Sequence, residues 1–245
     1  MAKFEIKDGV AIIPKGAAEI GEDTFYDCSS LESVIIPESV VKIGDDAFGG
    51  CTSLKSITLP ESVTTIGWYA FNGCTSLKNV ILPDSVTFLG ENAFNGCTSL
   101  ESITISKSVT RIDHYAFNDC SSLKSIMIPE SVIKIGVGAF RWCTSLKSIT
   151  IPDSVTYLGN GAFVGCSSLE SVIIPGSVTK VEKNTFSSCG NLKKVVISDG
   201  VQIIDERAFA SSRNIETLVL PAYVIISLRV DSAADHHSFV DFRRG

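Results

Sequence analysis

"CTSLKSITLPESVTTIGWYAFNG", residues 51–73, is followed at residue 74 by nearly the same string. It holds one Cys, one Lys and no His, so what recurs is a pattern of apolar positions and not a set of reactive groups. The eight cysteines, Cys28, Cys51, Cys74, Cys97, Cys120, Cys143, Cys166 and Cys189, are separated by 23 residues at every step, and phenylalanine keeps the same interval from Phe25 to Phe209. A period of about 20 to 50 residues marks a solenoid, in which each unit seals its apolar side only against its neighbours.

Counted from Cys, the unit reads C-x-S-L-x-S-I-x-I-P-x-S-V-x-x-I-G-x-x-A-F-x-x. In the 51–73 copy, Leu54, Ile57 and Leu59 are spaced L-x-x-I-x-L, and Ile57 and Leu59 alternate with Thr58, which predicts a short parallel strand with Thr58 outward. Pro60 has no N–H to donate and stops the pairing. A second extended piece, Val63 to Ile66, reaches Gly67, which is expected to take a positive φ. Asp113 and Asp205 can adopt that conformation at the same position, whereas Glu182 fits it poorly. The pair Ala70–Phe71 is expected to close the coil in a short 3₁₀ turn, with Phe71 aimed at the centre. At about 4.8 Å per rung, nine turns make a rod or shallow arc roughly 45 Å long.

These residues resemble a known family. L-x-x-I-x-I followed by Ser is similar to the leucine-rich-repeat signature, with Ser39, Ser62, Ser85, Ser108, Ser131, Ser154 and Ser177 where that signature carries Asn. The fuller unit, with "SLKSITIP" and "SVTxIG" followed by "AFxxC", resembles the BspA-like subfamily. The resemblance implies a right-handed leucine-rich-repeat solenoid of stacked short parallel β-strands joined by turns and short 3₁₀ or helical segments. Its departures are local: Ser106 and Ser198 replace the proline, Gly200 the serine, and Ser212 and Ile215 the Cys and Leu of the last unit. Residues 1–27 read as an N-terminal partial repeat or cap, 28–224 as the solenoid, and 225–245 as a C-terminal cap segment followed by a mobile tail.

A net charge of −6 with acids and bases interspersed gives no footprint for gripping phosphates, so nucleic acid is not an expected partner. No apolar run reaches the roughly 18 residues that span a bilayer, and the opening Met-Ala-Lys-Phe-Glu-Ile-Lys-Asp lacks the apolar stretch of a signal peptide.

The cysteine ladder admits disulfides, metal ligation or packing. Parallel stacking points successive Cβ vectors the same way, against bridges, and no two cysteines come closer in sequence than 23 positions, against a zinc motif. Packing is the expected role, and free thiols suit a reducing compartment. No metal or cofactor is expected, and no catalytic constellation is recognisable. The histidines are His114, beside Asp113 and Tyr115, and the adjacent His236 and His237 next to Asp235 in the tail.

Two surfaces compete as a binding face. The outward strand sites form a strip of Ser, Thr and aliphatics, among them Ile35, Thr58, Ile81, Thr104 and Met127, which a β-ladder alone would also favour. Diversity collects instead around the second extended piece and the turn, where Trp68, Tyr69, Phe88, His114, Tyr115, Arg141, Trp142 and Tyr157 stand at places other copies fill with small or polar residues. Aromatics and Arg are enriched in binding hot spots, so these eight are the candidate partner-binding residues. The sequence thus predicts a non-catalytic protein-binding repeat protein of undetermined oligomeric state. The resemblance implies adhesion at a cell surface, or secretion, with an extracellular-matrix or cell-surface protein as partner. The alternative is a cytoplasmic scaffold without a host ligand.

Overall fold

The computed structural model describes residues 4–227, a solenoid of about nine coils with three backbone ladders running along it. The expectations for the tail, including His236 and His237, lie outside the described residues.

The first ladder comprises the outward strip. Val10–Ile12 pairs in parallel with Ser33–Ile35, Asn79–Ile81 with Ser102–Thr104, and Ser171–Ile174 with Lys194–Ile197, which pairs in turn with Thr217–Val219. At the N-terminal end, Ile6–Lys7 closes antiparallel on Val10–Ile12. The expected strand of the 51–73 coil does not form. Ile57 and Leu59 are still buried there, while the backbone link is reduced to bonds such as Lys55 N–H to the Glu32 carbonyl at 3.1 Å. Side-chain burial, not strand pairing, holds that stretch in place.

The second ladder contains strands of two or three residues in three blocks. Glu19–Ile20, Lys42–Ile43, Thr65–Ile66 and Phe88–Leu89 form one; Arg111–Ile112, Lys134–Ile135 and Tyr157–Leu158 the next; Lys180–Val181, Ile203–Asp205 and Ile225–Ser227 the last. The glycine that follows each strand explains the blocks. Gly44, Gly67, Gly90, Gly136 and Gly159 do not have the expected positive φ. They lie against the backbone of the preceding coil: a Cβ on Gly67 would sit 2.6 Å from the Asp45 nitrogen, and one on Gly136 would sit 2.7 Å from the Asp113 carbonyl carbon. Close approach is therefore what requires glycine. Each donates its N–H to a carbonyl 24 residues earlier at 2.7–2.9 Å, as Gly67 does to Ile43. Pairing breaks at the two steps where a glycine coil is followed by one carrying a side chain, Gly90 to Asp113 and Gly159 to Glu182.

The third side is a chain of turns, without the expected 3₁₀ segment. Alternate residues donate to the next coil, such as Phe25 N–H to the Ala47 carbonyl at 2.8 Å, while the residues between close local turns, such as Tyr26 N–H to the Asp23 carbonyl at 3.2 Å. Left-handed residues recur at two places per coil, Asp46 (φ 50°) and Gly50 (φ 72°) for example, and a helix cannot run through them.

Inside, Phe25 to Phe209 form one column with ring centroids 5.1–5.7 Å apart and planes within 13°. All eight thiols are free. They do more than fill space: from Cys51 onward each Sγ donates to the carbonyl of a phenylalanine 26 residues earlier, at 3.0–3.3 Å. Ser212, at the cysteine position of the last unit, makes the same bond to Phe186 at 2.7 Å. Burial pushes the Cys189 thiol up to about 12. The serine column ties each coil to the one before it, with Ser62 Oγ donating to the Val40 carbonyl at 2.6 Å and Ser131 Oγ to the Val109 carbonyl at 2.7 Å.

Candidate binding surface

The second ladder and the turns place the eight candidate residues along one flank over five coils. Phe88 and Tyr157 project from the ladder, paired with Thr65 and Lys134, and both are partly exposed. Trp68 follows Gly67, and its N–H is held by Asp45 Oδ1 of the preceding coil at 2.8 Å. Tyr69 and Tyr115 occupy one left-handed column and Trp142 the other, with φ of 56°, 54° and 60°.

Those columns otherwise hold residues suited to that backbone. Beside Tyr69 and Tyr115 stand Asp23, Asp46, Asn92, Gly138, Gly161 and Asn184; beside Trp142 stand glycines such as Gly73 and Gly165, with Asp27, Asp119, Ser188 and Ser211. A bulky side chain in this region costs roughly 1–2 kcal/mol that glycine avoids. For Tyr115 and Trp142 part of that cost is recovered by packing, because their rings lie over glycines of the next coil. A Cβ on Gly165 would come 2.5 Å from Trp142 Cε3, and one on Gly138 2.6 Å from Tyr115 Cδ1; Trp68, outside the left-handed columns, covers Gly90 in the same way. The remaining faces stay open, with Trp68 52% and Trp142 44% exposed.

His114 has a structural task that its sequence position concealed. The Val137 N–H of the next coil donates to His114 Nδ1 at 2.8 Å, the service Asp45 performs for Trp68. Neighbouring Asp113, buried in the glycine column, accepts the His114 N–H at 2.9 Å and Arg111 Nη2 at 3.0 Å through Oδ1. Glu91, Asp113 and His114 each bring one potential metal-ligating atom within 4.8 Å of the others. The Val137 bond commits the Nδ1 lone pair, which leaves the neutral ring's proton on Nε2, 4.0 Å from Asp113 Oδ1. Arg111, Asp113, His114 and Val137 are joined by hydrogen bonds, and neither imidazole nitrogen presents a free lone pair.

Tyr115 and Arg141 meet at a shallow depression of about 360 Å³ shared with Asn160, Gly161, Asn184 and Ser187. The signal for the two left-handed columns was present in the sequence, as Asp, Asn and Gly recurring at 23-residue intervals. No helix among the described residues is long and apolar enough to cross a membrane.

The family described as the BspA type leucine rich repeat region matches this chain in six copies, over residues 18–137 and 110–229. No curated protein gives a significant match. Among solved structures, a leucine rich cell surface protein from Faecalibacterium prausnitzii is similar at 30% identity and a TM-score of 0.56, covering 87% of this chain and 66% of its own. This chain therefore spans just under two thirds of that protein. A T. pallidum leucine rich repeat protein is 28% identical with a TM-score of 0.50, covering 83% of this chain and 81% of its own. A leucine-rich repeat protein from Eubacterium ventriosum shares the fold at 22% identity and a TM-score of 0.51, covering 87% and 73%.

Proposed function

Because the chain belongs to the BspA-type leucine-rich repeat family, we propose that it is a non-catalytic protein-binding module acting in adhesion at a cell surface, with the aromatic flank as its contact face. The observation that supports this reading most is the presence of Tyr69, Tyr115 and Trp142 in left-handed positions that the other coils fill with Gly, Asn, Asp or Ser. Strain kept at an exposed site points to use of the side chain. Aromatic rings standing clear of a polar rim are the residue type that anchors protein interfaces. Trp68, Phe88, Arg141 and Tyr157 extend the face, and His114 orders its centre by holding Val137. The surface location is supported by the similarity to the Faecalibacterium cell surface protein, and an extracellular-matrix or cell-surface protein is the proposed partner.

The second reading, an intracellular scaffold, is favoured by one observation: eight free thiols, seven of them buried, suit a reducing compartment. A pull-down against matrix proteins and cell extract tests the contact face. The control replaces each ring by a residue that a sister coil carries at the same position: Trp68→Asn, Tyr69→Asn, Tyr115→Asn and Trp142→Gly. Loss of the captured matrix or surface protein with a near-native melt supports the proposal. Undiminished capture moves the contact to the outward strand strip, and capture of cytosolic proteins alone favours the scaffold.

A further inference from the structure

The depression between Tyr115 and Asn184 arises from a gap in one left-handed column. Two successive coils carry Gly138 and Gly161 where their neighbours carry side chains, and the Tyr115 ring folds over the first of them. Gly161 lies in the floor, where a Cβ would meet only the Val164 side chain, with Cγ2 at 3.0 Å. The rim is chemically mixed: the Arg141 guanidinium, the Asn160 and Asn184 carboxamides, the Ser187 hydroxyl and the Tyr115 ring. Among the described residues, the Arg141 side chain makes no ion pair, and the amides and the hydroxyl make no side-chain hydrogen bond.

We infer that this depression is a binding site for an acidic saccharide unit, a sugar ring that bears a carboxylate. Its volume of about 360 Å³ falls at the lower end of the range for small-ligand sites. A guanidinium presents paired donors matched to a carboxylate. Two amides and a hydroxyl offer both donors and acceptors, which is what a ring of hydroxyls needs, and the phenol ring gives the apolar face of a sugar something to lie on. A neutral sugar leaves the guanidinium unanswered, and a bare anion leaves the amides unanswered. The net charge of −6 opposes an anion only weakly, since charges beyond about 8 Å are screened at physiological salt and Arg141 is the near one. This site takes a small ligand and shares Tyr115 and Arg141 with the proposed contact face, and the glucuronate titration reads it separately from the pull-down.

Ligand-observed NMR titration of the full chain with glucuronate tests it, with glucose and acetate as comparison ligands. The expected result is saturable glucuronate binding in the millimolar range, with glucose and acetate weaker by about tenfold, the size of one charge-assisted contact. Arg141→Gln should weaken glucuronate by a similar factor. Gly161→Asn should abolish binding while the protein melts normally, because Asn92 and Asn184 already hold the equivalent backbone. Lys55→Gln, remote from the depression and from the contact face, should leave binding unchanged. Absence of a saturable glucuronate signal, equal binding of glucose, or indifference to both Arg141→Gln and Gly161→Asn overturns the assignment.

Discussion

Two columns of glycine run along this molecule for different reasons. Gly44, Gly67, Gly90, Gly136 and Gly159 have ordinary backbone angles and are needed because the preceding coil passes within reach of any Cβ. Gly73 and Gly96 have φ near 70° and ample room, the nearest atoms to a Cβ being 3.8 and 3.6 Å away. The first column governs how closely coils approach. The second governs the local direction of the chain, so Asp27, Asp119, Trp142, Ser188 and Ser211 take the equivalent positions, and it is there that the surface diversifies.

Both columns hang on the phenylalanine stack, which sets the scale for any change to them. Phe94→Ala removes a fully buried ring between Phe71 and Phe117 and should cost on the order of 3–5 kcal/mol in chemical unfolding. A negligible loss would show that the coils do not depend on the stack, and the distinction between the glycine columns would lose its footing.

Asparagine separates the two kinds of glycine directly, because it tolerates the left-handed region and brings a Cβ. Gly67→Asn should cost about 2–3 kcal/mol by forcing backbone from backbone. Gly73→Asn should cost less than about 0.5 kcal/mol, the range of a neutral surface change. Equal losses in the two melts would erase the distinction.

The period, the inward Phe, Cys and Leu, and the serine ladder were legible in the sequence because each is repeated in almost every unit, and side-chain direction follows from alternation. The distance between coils was not. Nothing in "TIGWYAF" says whether its glycine is needed for its φ or for its lack of a Cβ, and a turn conformation was the wrong choice. The role of His114 was hidden for the same reason, since its partner, the Val137 N–H, belongs to the next coil. The candidate flank was visible as variation, but its left-handed backbone, which makes the rings notable, was not read from the Asp, Asn and Gly of the sister copies.

The thiol column sharpens the comparison from the inside, since it also depends on neighbouring coils staying close. Burial holds Cys189 protonated up to about 12, against 9.0 for an unburied thiol. Between those values the folded chain binds at Cys189 a proton that the unfolded chain has released, so this thiol's contribution to stability is full below about pH 9 and falls by about 1.4 kcal/mol per pH unit above it. Cys189→Ser keeps a donor for the Phe163 carbonyl, as Ser212 does for Phe186, and removes that titration. Its unfolding free energy should therefore fall less steeply between pH 9 and 10 than that of the parent chain. Parallel pH profiles would show that the thiol is not held protonated by its burial.

A change that nearly cancels in stability concerns the step where the second ladder breaks. Gly67, Gly90 and Gly136 donate to the coil behind, to Ile43, Ile66 and Ile112, but Asp113 makes no such bond to Leu89. Asp113→Gly takes away the carboxylate that holds Arg111 and the His114 N–H, and it lets the coils close. The two changes oppose each other, so the melt should move by less than about 1 kcal/mol, the worth of a hydrogen bond. Hydrogen exchange is the sharper measure. The amide at 113 should become protected in the variant, joining the four-stranded block that ends at Leu89 to the three-stranded one that begins at Arg111. If that amide still exchanges freely, the break belongs to the Arg111–Asp113–His114 network as a whole, and a side chain in the glycine column is a companion of the break and not its cause.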